Sequence, residues 1–239
     1  MKNKRTNFAR AAIVAVGIAL LTTACSTTKE TADFKLAPGF LPKPDLLKRG
    51  GPGEYAYIYD NTAVSQAGYN KVILEPVMIW TTPNSTLDRV SAEKRQALAN
   101  DFYGNLYEKL STHCQMVNIP TPGAIKIRVA LVDAEQSDPL ANTISTYVPQ
   151  AHVLNSLTAF AFDDGIGAFA GTATAESYAS DATGGPKTGT LLWEAADRRG
   201  GANQIGTNTL NSWGDVREAF QAWSEQAAQG LVKRGICYQ

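Results

Sequence analysis

Histidine is scarce in this 239-residue chain. Only His113 and His152 occur, and neither has a second ligand at helical or hairpin spacing, so the three or four ligands of a zinc site are missing. No metal or other cofactor is expected. A basic surplus is also absent: 22 Lys and Arg stand against 22 Asp and Glu, which leaves no electrostatic footprint for nucleic acid. Nothing in the sequence is a run of about 20 apolar residues, the length needed to cross a bilayer. No G-x-S-x-G elbow marks a nucleophilic serine. Gly165-x-Gly167-x-x-x-Gly171 lacks the spacing and the strand-to-helix setting of a phosphate loop, and reads as a turn or close backbone packing. His113 and Cys114 are adjacent, but sequence neighbours need not aim their side chains together, so they read as a helix end with a cationic cap and a structural thiol.

What is present begins at the N-terminus. Lys2, Lys4, Arg5 and Arg10 precede the apolar stretch Ala11 to Leu21, the pattern of a secretory signal peptide over residues 1–24. The small Ala24 directly before Cys25 resembles a bacterial lipobox, with Thr22 where that pattern usually carries Leu. The expectation is cleavage between Ala24 and Cys25 and lipidation of Cys25, with palmitate-class chains that each add about 0.8 kcal/mol of anchoring per buried methylene. Ser26 rather than Asp after the cysteine favours the outer membrane of a Gram-negative cell, periplasm-facing. A plain secreted protein whose Cys25 pairs with another cysteine is the competing reading. Loss of the four basic residues of the leader would leave 18 basic against 22 acidic residues, a net charge of −4. With Cys25 committed to lipid, Cys114 and Cys237 are an even pair in an oxidising compartment, expected either as a disulfide or as two separately buried thiols.

The remaining roughly 215 residues suit one domain. Ser26 to Asp33 is polar and reads as a tether, about 25 to 30 Å long if extended. Phe34 to Gly53 is broken by Pro38, Pro42, Pro44 and Pro52, so an extended arm is expected, held against the domain by Phe40, Leu41, Leu46 and Leu47. The lipidated tether and arm thus occupy 25–54 and the domain 55–239. Alternation predicts strands at Tyr55 to Tyr59, at Lys71 to Trp80 as a central strand with a conflict at Pro76, and at Ala124 to Val132 with Ile125, Ile127, Val129 and Leu131 inward and Lys126 and Arg128 outward. Spacing of four predicts a helix over Ser91 to Thr112 with Leu98, Phe102, Leu106 and Leu110 on its stripe. A second helix is expected over Val148 to Phe162, a hairpin from Ala173–Ser180 and Thr190–Arg198, and a last helix over Ser212 to Arg234 with Ser212 as its cap. The expected fold is α+β, a mostly antiparallel sheet covered by two or three helices as a two-layer sandwich.

GFLPKPDLL, YNKVILEPVMIW, IKIRVALVDAE, TATAESY, LLWEAADRRGG and WGDVREAFQAWSE, in that order, make the chain resemble the proteobacterial lipoprotein family called domain of unknown function 3313. The resemblance spans nearly the whole mature chain and implies an outer-membrane, periplasm-facing lipoprotein without established activity. Two acidic positions invite chemistry. With the hairpin symmetric about Gly185, Glu176 and Glu194 would face each other, and facing carboxylates can split their pKa values into acid and base; solvated or Arg-paired carboxylates explain the same residues. Asp197-Arg198-Arg199-Gly200-Gly201 offers Arg198 and Arg199 with glycine amides to a partner or anion, or is a strand-ending turn with a salt bridge. The expected role is a non-enzymatic binding or assembly module of the cell envelope, held at the membrane by its lipid and contacting an envelope protein or cell-wall component. An envelope hydrolase using Glu176 and Glu194 is the alternative.

Overall fold

The computed structural model describes residues 28–137, 171–201 and 213–238. The segment 1–24 expected as a signal peptide, Cys25, the helix expected over 148–162, His152, Gly165, Gly167 and Ser212 lie outside the described residues. Nine strands form one mixed sheet among the described residues: β1 (Thr28–Thr31), β2 (Lys48–Arg49), β3 (Tyr57–Asp60), β4 (Lys71–Leu74), β5 (Met78–Ile79), β6 (Gln115–Met116), β7 (Ala124–Glu135), β8 (Thr172–Asp181) and β9 (Leu191–Gly201). Two helices accompany them, α1 (Ala92–His113) and α2 (Gly214–Lys233). The order is β2-β3-β9-β8-β7-β4-β6, with β1 on β9 and β5 on β7. The sheet is antiparallel from β2 to β7, and β4 pairs in parallel with both β6 and β7 as β5 does with β7. Parallel pairing needs a long crossover, which α1 supplies between β4 and β6.

The run Lys71 to Trp80 is two strands. Pro76 has no N–H for a ladder, and the chain leaves the sheet at Glu75-Pro76-Val77 before β5 rejoins β7. The run is also not central: β4 has only the two-residue β6 on its far side. The polar tether is likewise partly structured. β3 covers Trp193 to Ala196 of β9, which leaves Arg198 to Gly201 of the same edge open, and Thr28 to Thr31 pairs there as β1.

α1 starts where Ser91 Oγ accepts from the Lys94 amide at 3.3 Å and carries Glu93 in its first turn and His113 in its last, which suits the helix dipole. Its stripe Leu98, Phe102, Leu106 and Leu110 is buried, whereas Tyr107 is exposed. α2 has Trp213 at its cap position with no side-chain capping bond; its first turn is held by Asp215, whose carboxylate accepts from the Gly171 amide at 2.8 Å. Gly171 is close-packed, since a Cβ there would lie 2.9 Å from both the Glu135 carbonyl and the Ser137 amide. The helices pack on each other through Phe102 and Phe220, stacked at 4.5 Å, with Trp223 beside them. Together they cover the sheet face that carries Ile125, Ile127, Val129 and Leu131. Cys114 and Cys237 form a disulfide within this core.

The opposite face has its own cover. Ala37, Phe40 and Leu41 of the arm pack on Ala130 and Val132 of β7, with Leu47, Met78 and Tyr178 at the margin. Leu46 stays exposed. The arm is therefore a third layer over part of β7, β8 and β9.

Candidate binding face

The hairpin β8–β9 contains a bulge: Ala179 pairs with Trp193 but Ser180 with Leu191. The turn-side pair Ser180–Leu191 already stands one residue off symmetry about Gly185, the extra residue on β9 adds a second, and Glu176 falls opposite Ala196 while Glu194 falls opposite Tyr178. The facing pair expected from symmetry about Gly185 is corrected to a diagonal pair. Because the offset is two residues, both carboxylates still project from the same face, the one that the arm covers. Neither is solvated or Arg-paired. Both residues are fully buried. Glu176 Oε1 accepts from the Ala37 amide at 2.5 Å and Glu194 Oε1 from the Lys43 amide at 2.7 Å. The second oxygen of each has no hydrogen-bond partner among the described residues. Burial, with the charge of Glu194 added to it, pushes the Glu176 carboxyl up to about 7 against the single bond from Ala37. Burial also raises Glu194, against the amide and the charge of Lys43.

Beyond the arm the same face opens into a cleft of about 300 Å³, lined among others by Pro42, Pro120, Lys126, Arg128, Tyr178 and Ser180. Glu75, the acid left where Pro76 breaks the strand, ties its two cations together: Lys126 Nζ at 3.1 Å and Arg128 Nε at 2.6 Å. Arg128 also donates to the Tyr178 hydroxyl at 3.0 Å. Burial raises Glu75, but the hydrogen bonds and charges of Arg128 and Lys126 outweigh it and hold the carboxyl below its ordinary value. At the far rim, Asp181 accepts from the Tyr69 hydroxyl at 2.6 Å and from Thr183. The sequence reading placed Lys126 and Arg128 on the outward side of a strand without assigning them a site. The one signal available was Glu75, an acid inside an otherwise apolar run.

Arg199 points into the structure. It pairs with Asp197 at 2.9 Å and Glu30 at 3.7 Å and donates to Gln226. Asp197 further accepts from the Trp223 indole at 2.7 Å and the Ala56 amide at 3.1 Å. Burial raises the Asp197 carboxyl against these partners, and burial and the Asp197 charge push Glu30 up to about 7. Arg198 donates to the Asp33 carbonyl and approaches Thr172, while Gly200 and Gly201 lie within the β1–β9 ladder. The five-residue stretch is thus strand throughout, fastening β1 to the sheet, and not an exposed strand-ending turn. His113 closes α1 and its carbonyl accepts from the Tyr238 amide at 2.9 Å. Among the described residues no group of three or more His, Cys, Asp and Glu is placed to hold a metal, and no described helix is long and apolar enough to cross a membrane.

The model of a family described as protein of unknown function (DUF3313) matches residues 37–227, a span that takes in most of the arm, both carboxylates and most of α2. No curated protein matches the chain. Among solved structures, a PelC dodecamer from Paraburkholderia phytofirmans and a variant of it each show 10% identity over 72% of this chain and 94% of theirs, at a TM-score of 0.36.

Proposed function

From the premise that the chain belongs to the DUF3313 family of proteins of unknown function, we propose that it is a lipid-anchored, periplasm-facing outer-membrane protein. Its α+β domain serves as a non-enzymatic binding or assembly module for an envelope protein or cell-wall component. The observation that carries the reading is the Cys114–Cys237 disulfide. Such bonds persist in oxidising compartments, and this one uses both other cysteines, leaving Cys25 as the odd thiol that lipidation would consume. The cleft over Lys126, Arg128, Tyr178 and Ser180 is the surface open to a partner. The hydrolase alternative draws on Glu176, held near 7 where a general acid works. Against it stands the arm, which leaves both carboxylates without exposed surface, so a substrate would first have to displace it. The test is metabolic labelling with an alkyne palmitate followed by membrane fractionation. The wild-type chain is expected to take the label and sediment with outer membranes, and the Cys25→Ala chain to lose both. A Cys25→Ala chain that still fractionates with the outer membrane would refute the anchor.

A further inference from the structure

Two buried carboxylates under a proline-rich segment need an explanation, because an ionised carboxylate out of water with one hydrogen bond is among the costlier arrangements a protein can hold. Glu176 and Glu194 would be such groups if ionised in place, since both are fully buried, and what keeps water from them is the arm. The segment has little regular structure to hold it in place: one 3-10 turn at Pro44–Leu46 and packing by Phe40 and Leu41. Its amides at Ala37 and Lys43 are aimed at the two carboxyls. Strap and acids therefore depend on each other.

We propose that residues 36–47 are a proton-locked strap: Glu176 and Glu194 take up protons as the strap closes over β7, β8 and β9, and the strap loosens when they ionise. Loosening uncovers a floor of Ala130 and Val132 flanked by the two acids, continuous with the open cleft. The other charged and titratable groups on this face do not supply the missing compensation. Lys43 on the strap acts on Glu194 and leaves its carboxyl raised. Arg128 on β7 is engaged by Glu75 and by Tyr178 of β8. On β3, Tyr59 pairs across from Glu194, and Tyr57 gives its hydroxyl to the Ala32 carbonyl. The sign follows from the closed state having the higher carboxyl pKa. Closure is fully favoured below the ordinary value of 4.5 and weakens as pH rises, until the closed-state value near 7 is passed. For Glu176 alone the closing equilibrium falls about 30-fold between pH 5.5 and 8.5. The inference holds whether or not Cys25 carries lipid.

Hydrogen exchange by mass spectrometry on the full chain in detergent tests it, with rates for peptides across 36–47 divided by the intrinsic rate at each pH. The wild-type strap is expected to lose at least about tenfold in protection from pH 5.5 to 8.5. The Glu176→Gln/Glu194→Gln chain should hold its protection within about twofold over the same range, since Gln accepts the same amide bonds and cannot ionise. Peptides covering the buried stripe of α1 should stay protected in both. A wild-type strap that keeps its protection at pH 8.5, a double variant that loses it in parallel, or loss of α1 protection together with the strap each overturns the proposal. If the double variant does not fold, the wild-type profile and Glu176→Gln alone decide: a pH-independent wild-type strap is sufficient to reject it.

Discussion

Replacing Cys114 and Cys237 together by Ala should cost most of the margin by which the fold exceeds the unfolded chain. The bond joins residues 123 apart in sequence, so it encloses β6 to β9 and α2. For a loop of that length, chain entropy removed from the unfolded state is about 16 cal/mol/K, or about 5 kcal/mol at 25 °C. Native-state contacts change little in the double variant. Cys114 is the C-cap of α1, its amide bonded to the Leu110 carbonyl at 2.7 Å, and the Cys237 amide bonds the Leu231 carbonyl at 3.3 Å; neither bond involves sulfur. Both side chains are buried among apolar groups that accept Ala. The loss is therefore expected in the unfolded state. With a urea slope of about 2 kcal/mol/M, the unfolding midpoint should fall by about 2.5 M. Urea unfolding followed by tryptophan fluorescence measures it, with oxidised wild type, wild type in reductant and the double variant side by side. The two thiol-free or reduced samples should coincide. A fall of less than about 0.5 M in the double variant would refute the loop-entropy reasoning.

Two further substitutions test how the layers are held. Phe102→Ala removes the ring stacked on Phe220 at 4.5 Å and touching Trp223 and should destabilise by about 3 to 5 kcal/mol in the same urea assay; less than about 1 kcal/mol would show that α1 and α2 are not joined through that contact. Arg199→Ala leaves the buried Asp197 without its guanidinium and should cost about 3 kcal/mol at pH 7. That cost should shrink as pH falls and Asp197, already raised by burial, takes a proton, so equal losses at pH 7 and pH 4.5 would count against the pairing.

Local patterns made much of the fold legible. Spacing of four in Leu98, Phe102, Leu106 and Leu110 identified α1 and its buried face, and the alternation from Ile125 to Leu131 identified β7 and the side that meets the helices. Pro76 announced a break whose form, two strands separated by three residues, needed the structure. Pairing that depends on distant segments was not legible. Thr28 to Thr31 is polar and looks like tether; it is a strand because β3 stops at Ala196 and leaves an edge vacant. The bulge at Leu192 has no proline or glycine to mark it, yet together with the one-residue asymmetry of the turn it moved Glu194 from Glu176 to Tyr178.

The candidate face was half visible for a related reason. Glu176 and Glu194 drew attention as acids in strands, but a strand pattern read alone sends its polar residues to water. The outward side of β7 argues otherwise: it reads Lys126, Arg128, Ala130, Val132, changing from charged to apolar halfway along. Apolar outward positions on a sheet call for cover, and the arm, rich in apolar residues without helical or strand periodicity, supplies it through Phe40 and Leu41. The change of character on β7 therefore marks where the arm ends and the cleft begins. It also places Glu176, opposite Ala130, beneath the arm, whereas Tyr178, opposite Arg128, stands at the boundary where Phe40 meets its ring at 5.5 Å. The residues that best report movement of that boundary are thus Tyr178 and Trp80, whose indole donates to the Pro38 carbonyl at 3.0 Å.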